Sequence, residues 1–243
     1  MTAFEAFKTL LNSIFQAIYY PFWFSLLFAF VFMFFYMFAS GNDAAGKGKK
    51  AALKAWAAQF KTEAFFRKLF FFTFFTMVIL FSALLSRTIS INPTSNIWGN
   101  WGIWSESSDG TKTITAECFK NVIFMIPFII LLFWTFGERV LKNRSAKVII
   151  WQSVKISFLF SLTIEILQLF LKLGTFQISD LFYNTLGGLI GGLIYLLACN
   201  CSEKEKHSEE KHPEEKRPEE KRPEEEKHSE EEKNSEEEHS GEK

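Results

Sequence analysis

No histidine occurs among the first 206 residues, and three cysteines, Cys118, Cys199 and Cys201, supply neither a disulfide framework nor zinc-site spacing. These absences exclude a Ser-His or Cys-His nucleophilic pair upstream of residue 207. No metal, cofactor or nucleic-acid partner is expected. Cys199 and Cys201 close an apolar run, where cysteine behaves as a small hydrophobe. Net charge is also missing, with 27 bases against 27 acids, but the balance is struck between two unlike parts. Residues 203–243 hold 18 acids and 10 bases, which leaves 17 bases and 9 acids for the rest.

What the chain has in quantity is apolar surface: 48% of its residues are hydrophobic, 17% are aromatic and 30 are Phe. They are bunched into runs, which argues against a water-facing fold. A run of about 18 residues crosses the roughly 30 Å hydrocarbon core as a helix at about 1.5 Å per residue. Five such runs occur, at residues 18–38, 65–85, 122–137, 148–171 and 181–198, the third extended by residues 118–121. In lipid each backbone polar group needs an internal partner, so these runs must be helices. The expected fold is an all-α membrane protein, a five-span transmembrane helical bundle with a disordered charged C-terminal tail. Residues 1–64 read as a transmembrane anchor and basic loop, 65–200 as a membrane domain and 201–243 as the tail.

Cytoplasmic loops retain Lys and Arg. The loop after span 1 contains Lys47, Lys49, Lys50, Lys54, Lys61, Arg67 and Lys68, and the loop after span 3 contains Arg139, Lys142, Arg144 and Lys147. The loops after spans 2 and 4 have little beyond Arg87, Lys112 and Lys172. The N-terminus is therefore expected outside and the tail in the cytoplasm. The first run exceeds the core of a signal peptide and lacks a basic start, so it reads as an uncleaved anchor, with Pro21 kinking its outer end. Leu53, Trp56 and Phe60 recur at helical spacing beside Lys50, Lys54 and Lys61. That pattern suits a short helix on the anionic inner leaflet, although the same lysines serve equally to fix topology. Beyond residue 203, units such as HPEEKRPEEKRPEEE have almost nothing to bury and predict disorder or transient helix. All four histidines, His207, His212, His228 and His239, lie there among solvated glutamates.

Ionisable groups within spans are costly and face a protein interior or a wet cavity. At about 100° per residue, Ser157, Ser161, Glu165, Gln168 and Lys172 share one side of span 4, and Asp180, Asn184, Gly187 and Gly191 share one side of span 5. Gly188 and Gly192 form a second Gly-x-x-x-Gly pair, and such pairs let another backbone approach closely, from span 4 or from a second copy of the chain. Asn121 opens span 3 and Arg87 closes span 2 at the same end. Arg87, Asn121, Glu165, Gln168, Asp180 and Asn184 are thus expected to converge in the outer half of the membrane, with Arg87 or Lys172 as counter-charge to Glu165. The same groups would also serve as interhelical clamps worth about 0.6–2 kcal/mol each. Two carboxylates in one apolar pocket exceed what clamping needs. Trp98, Trp101 and Trp104 suit either interfacial anchoring or stacking on a sugar or acyl chain.

The segment SLTIEILQLFLKLGTFQISDLFYNTLGGLIGGL resembles the signature of the VanZ family, in which a Glu and a Gln three apart precede a turn, an Asp and an Asn-Thr-x-Gly. Glu165, Gln168, Asp180, Asn184, Thr185 and Gly187 fit it. NVIFMIPF at 121–128 and SRTISINP at 86–93 agree in order with further family motifs. The resemblance runs over residues 70–197 and departs from the family at Ile129 and at Thr175, Phe176 and Gln177, where an acid is common. It implies a multi-pass protein of a bacterial, Gram-positive plasma membrane, associated with low-level teicoplanin resistance. The expected role is a contribution to lipoglycopeptide resistance or to cell-envelope physiology, by a non-enzymatic or unknown mechanism: an outward polar site that recognises a membrane lipid or a lipid-linked cell-wall component, or that disturbs antibiotic anchoring. The alternatives are an intramembrane enzyme with Glu165 and Asp180 as acid and base, and a small transporter working as an oligomer.

Overall fold

A computed structural model of the chain describes residues 3–41, 48–85, 87, 89–102, 104–106, 112–114 and 116–211. The helices are α1 (Ala3–Ala39), α2 (Lys49–Thr62), α3 (Ala64–Leu85), α4 (Glu117–Val140), α5 (Ala146–Leu171) and α6 (Ile178–Lys211). Five of them, all but α2, are long and apolar enough to cross a membrane. Each expected span falls inside one of these helices.

The loop between α3 and α4 adds a short antiparallel hairpin, β1 (Trp104–Glu106) and β2 (Lys112–Ile114), paired from Trp104 opposite Ile114. The chain divides into residues 1–201 and residues 202–243. Of the second part, the described residues continue α6 to Lys211, and the remainder of the predicted tail lies outside the described residues, as do Lys47 and Ser86.

Two apolar clusters hold residues 1–201 together. One lies between α1 and α3, around Ala29, Met33, Met37, Phe66, Leu69 and Phe70, with Trp56 and Phe60 of α2 packed on it. Trp56 stacks on Phe60 at 5.2 Å and approaches Phe30 at 4.9 Å. The predicted short helix therefore exists, but its aromatic face is turned onto α1 and α3, and Leu53 is left exposed. Protein rings win that face because α1 and α3 offer a dense phenylalanine surface next to it. The second cluster links α3, α4 and α5 through Ile79, Met125, Phe128, Ile129, Phe133, Ile149 and Ile164, with Phe128 and Phe160 stacked at 4.3 Å.

The glycines of α6 explain how three helices meet so closely. A Cβ on Gly191 would stand 2.7 Å from the Ile126 carbonyl oxygen, and one on Gly187 would stand 2.9 Å from the Val122 Cα. Gly187 and Gly191 thus seat the α4 backbone. A Cβ on Gly188 would collide with Ser157, and one on Gly192 with Ser153, so the second pair seats the serine stripe of α5. Both faces are filled within the chain, one by span 3 and the other by span 4.

α1 has 37 residues, about 55 Å of helix, far more than the expected span. Its first half carries Glu5, Lys8, Asn12 and Gln16 among exposed Phe4, Phe7 and Phe15, a mixture that mean hydropathy understates but helix formation tolerates.

Candidate functional site

α3 ends, α4 begins, α5 ends and α6 begins at one end of the bundle. The described bases of the α1–α3 connection and of the α4–α5 loop lie at the other, where Lys68 stands 5.1 Å over the Trp134 ring. At the first end α5 stops because Lys172 adopts a left-handed conformation, φ 53°, so the Leu173 N–H turns back to the Gln168 carbonyl. The turn into α6 is then tied by main-chain bonds to the segment after α3: Ser90 N–H to Lys172 O at 2.8 Å, Phe176 N–H to Pro93 O at 2.9 Å, and Ile178 N–H to Ile97 O at 2.8 Å. Gly99, with φ 72°, lets this segment sit directly on Ser179 and Gln177, where a side chain would collide.

Arg87, Asn121, Glu165, Gln168, Asp180 and Asn184 all line one cavity of about 220 Å³. Asp180 is 4% exposed and accepts from Arg87 at 3.1 Å and from Asn121 at 2.8 Å, so α3, α4 and α6 converge on one carboxylate. Glu165, 2% exposed, accepts the Gln177 N–H at 2.8 Å. Gln168 donates to the Ala83 carbonyl at 2.9 Å, and Asn184 donates to Ser161 at 2.8 Å. Ser153, Ser157, Ser161, Glu165 and Gln168 are buried in a single file down α5. The arc read from helical phase is therefore the packed side of that helix, and only Lys172 leaves it, being exposed at the cap.

The pairing differs from expectation in one respect. Arg87 binds Asp180 rather than Glu165, because it follows α3 directly and meets the first turn of α6, whereas Glu165 lies about 9 Å below the end of α5. No group of three or more candidate metal ligands occurs among the described residues.

The VanZ/LLP1 family matches residues 18–199. This chain belongs to the VanZ family. No curated protein and no solved structure matches it at a significant level. The VanZ match begins at Ile18 and so takes in α1, which the motifs, starting at residue 70, had left outside. The packing of α1 along α3 accounts for this: it supplies one wall of the Phe66–Phe70 cluster and belongs to the same core.

Three polar residues of this VanZ-family cavity escaped sequence reading, Ser82, Glu117 and Lys120. Glu117 stands 4.0 Å from Arg87 and accepts from Asn100 at 3.4 Å. Glu117 and Lys120 precede Asn121 on α4 by four residues and by one. Extending the helical phase of Asn121 backward by one turn would have found Glu117. In the loop between α3 and α4, Trp101 rests on Phe182 and Tyr183 of α6 at 5.5 and 6.0 Å, and Trp98 remains exposed.

Proposed function

We propose that this VanZ-family protein is a non-enzymatic component of a bacterial plasma membrane. In this reading its polar cavity opens to the outer half of the bilayer, recognises the head of a membrane lipid or lipid-linked cell-wall component, and lessens the action of teicoplanin-type lipoglycopeptides. The observation that carries the reading is the cavity itself: Arg87, just after α3, and five polar side chains of α4, α5 and α6 line about 220 Å³ where helix packing alone would leave apolar contact. Orientation is argued from charge. The described bases of the α1–α3 connection and of the α4–α5 loop lie at the end opposite the cavity, and such clusters stay in the cytoplasm, which favours an external N-terminus and a cytoplasmic tail. The test is drug susceptibility of a sensitive host expressing the intact chain. A rise in teicoplanin tolerance that is lost in Asp180→Asn at equal expression supports the proposal, and unchanged tolerance with correctly inserted protein removes it.

A second reading, proton transfer by Glu165, draws on two carboxylates sharing the cavity. Glu165→Gln separates the two. The amide still accepts the Gln177 N–H, so recognition survives within a few-fold, whereas proton transfer is abolished.

A further inference from the structure

Most polar atoms around the cavity are already satisfied by the protein. Both Asp180 oxygens are engaged, by Arg87 and by Asn121, and Arg87 is also held beside Glu117. Asn184 donates to Ser161 and Gln168 donates to Ala83. What is left over has a definite chemistry. Gln168 is 2% exposed, yet its Oε1 accepts no hydrogen bond among the described residues. Beside it on α5, Glu165 has one oxygen committed to a backbone N–H. Lys120, a partly buried residue on the first turn of α4, lines the same cavity and has no acidic partner among the described residues.

A buried acceptor without a donor costs about as much as a lost hydrogen bond, and native proteins keep few of them. Here the side chain that carries the orphaned acceptor lines the same cavity as Lys120. The complementary ligand carries a hydrogen-bond donor, best a positively charged one, toward Gln168 and Glu165, and an anion toward Lys120. A carboxylate without a donor would leave Gln168 Oε1 unpaired and would approach Glu165 unfavourably. A quaternary ammonium has no N–H to give.

Resting on the reading of the cavity as a lipid-recognising site, we infer that it takes a zwitterionic headgroup, a phosphate coupled to a primary ammonium, with the ammonium against Gln168 and Glu165 and the phosphate at Lys120. The full chain, purified in detergent, is equilibrated with phosphoethanolamine, phosphocholine or phosphoglycerol lipids of matched acyl chains, and the lipid retained is counted by native mass spectrometry. Retention of the phosphoethanolamine lipid should exceed that of the phosphocholine lipid by about tenfold, the scale of one buried acceptor left unpaired. Lys120→Gln, at a partly buried position with no acidic partner among the described residues, should reduce that retention several-fold without changing the helical content. The headgroup comparison needs no variant, so it stands even where Gln168→Leu fails to fold through loss of its bond to Ala83. Equal retention of the three lipids overturns the inference. So does a preference for phosphoglycerol, which would show that only the anion is read. Neither outcome alters the drug-tolerance result, so the two proposals fail separately.

Discussion

Replacing Gly192 by Ala tests whether the serine stripe of α5 is matched to α6 atom by atom. The added Cβ would collide with the Ser153 hydroxyl and stand 2.7 Å from the Ser153 Cβ. Rotating the hydroxyl therefore does not clear the clash, and the helices must separate or bend. Overpacking of this kind costs about 1–3 kcal/mol, against a gain of up to about 1 kcal/mol from the better helix propensity of Ala. A net loss of about 1–2 kcal/mol is expected. Ser153→Gly combined with Gly192→Ala moves the small residue from one helix to the other. Propensity nearly cancels, so the double variant should recover at least half of the loss. Gly191→Ala behaves differently, because the atoms it meets are the Ile126 carbonyl oxygen at 2.7 Å and Cα at 3.2 Å, which no side-chain change on α4 removes. Reversible unfolding of the purified chain in mixed micelles with increasing SDS, followed by circular dichroism, measures all three variants. If Ser153→Gly restores nothing to Gly192→Ala, the two positions are not in contact and the packing described for α5 and α6 is wrong.

Asp180→Ala removes the acceptor shared by Arg87 and Asn121. Breaking a buried ion pair costs about 3–5 kcal/mol, but the Arg87 side chain is 24% exposed and keeps Glu117 at 4.0 Å, so about 2–3 kcal/mol is expected in the same unfolding assay. A loss below about 0.5 kcal/mol, typical of an exposed pair, would remove Asp180 as the junction of three helices. Trp56→Ala should free α2 from the phenylalanine surface of α1 and α3, seen as faster protease cleavage within residues 49–62 while the spanning helices stay intact. Unchanged cleavage would mean that the ring contacts hold nothing. For orientation, Glu5→Cys in intact cells should react with a membrane-impermeant maleimide and Lys50→Cys should not, and the reverse pattern would invert the placement of the cavity.

Long, uniformly apolar helices declare themselves in sequence, because length and hydropathy alone decide whether a segment can cross a bilayer. Phase along α5 and α6 was equally legible: the period of 3.6 placed Glu165, Gln168, Asp180 and Asn184 on facing sides before any neighbour was known. The partner of each group was not. Which acid meets Arg87 depends on the turn that seats the segment after α3 over the start of α6, and main-chain bonds build that turn without a motif. The glycine faces were visible as faces, but their occupants are set by tertiary crossing. The polar first turn of α4 and the mixed first half of α1 fell below a hydropathy criterion although both are helical. The hairpin strands, three residues each, are too short to show an alternation.

The rim of the cavity is joined by peptide groups. Three main-chain bonds hold the α5–α6 turn to the segment after α3, and Glu165 itself is met by an amide N–H rather than by a side chain. Any residue but proline supplies the same donor at position 177. The turn can therefore change its side chains, as it has here in carrying Thr175, Phe176 and Gln177 where an acid is common, and leave the carboxylate beneath it in place. The lip of this cavity is therefore free to vary in its side chains while the carboxylate floor stays constant.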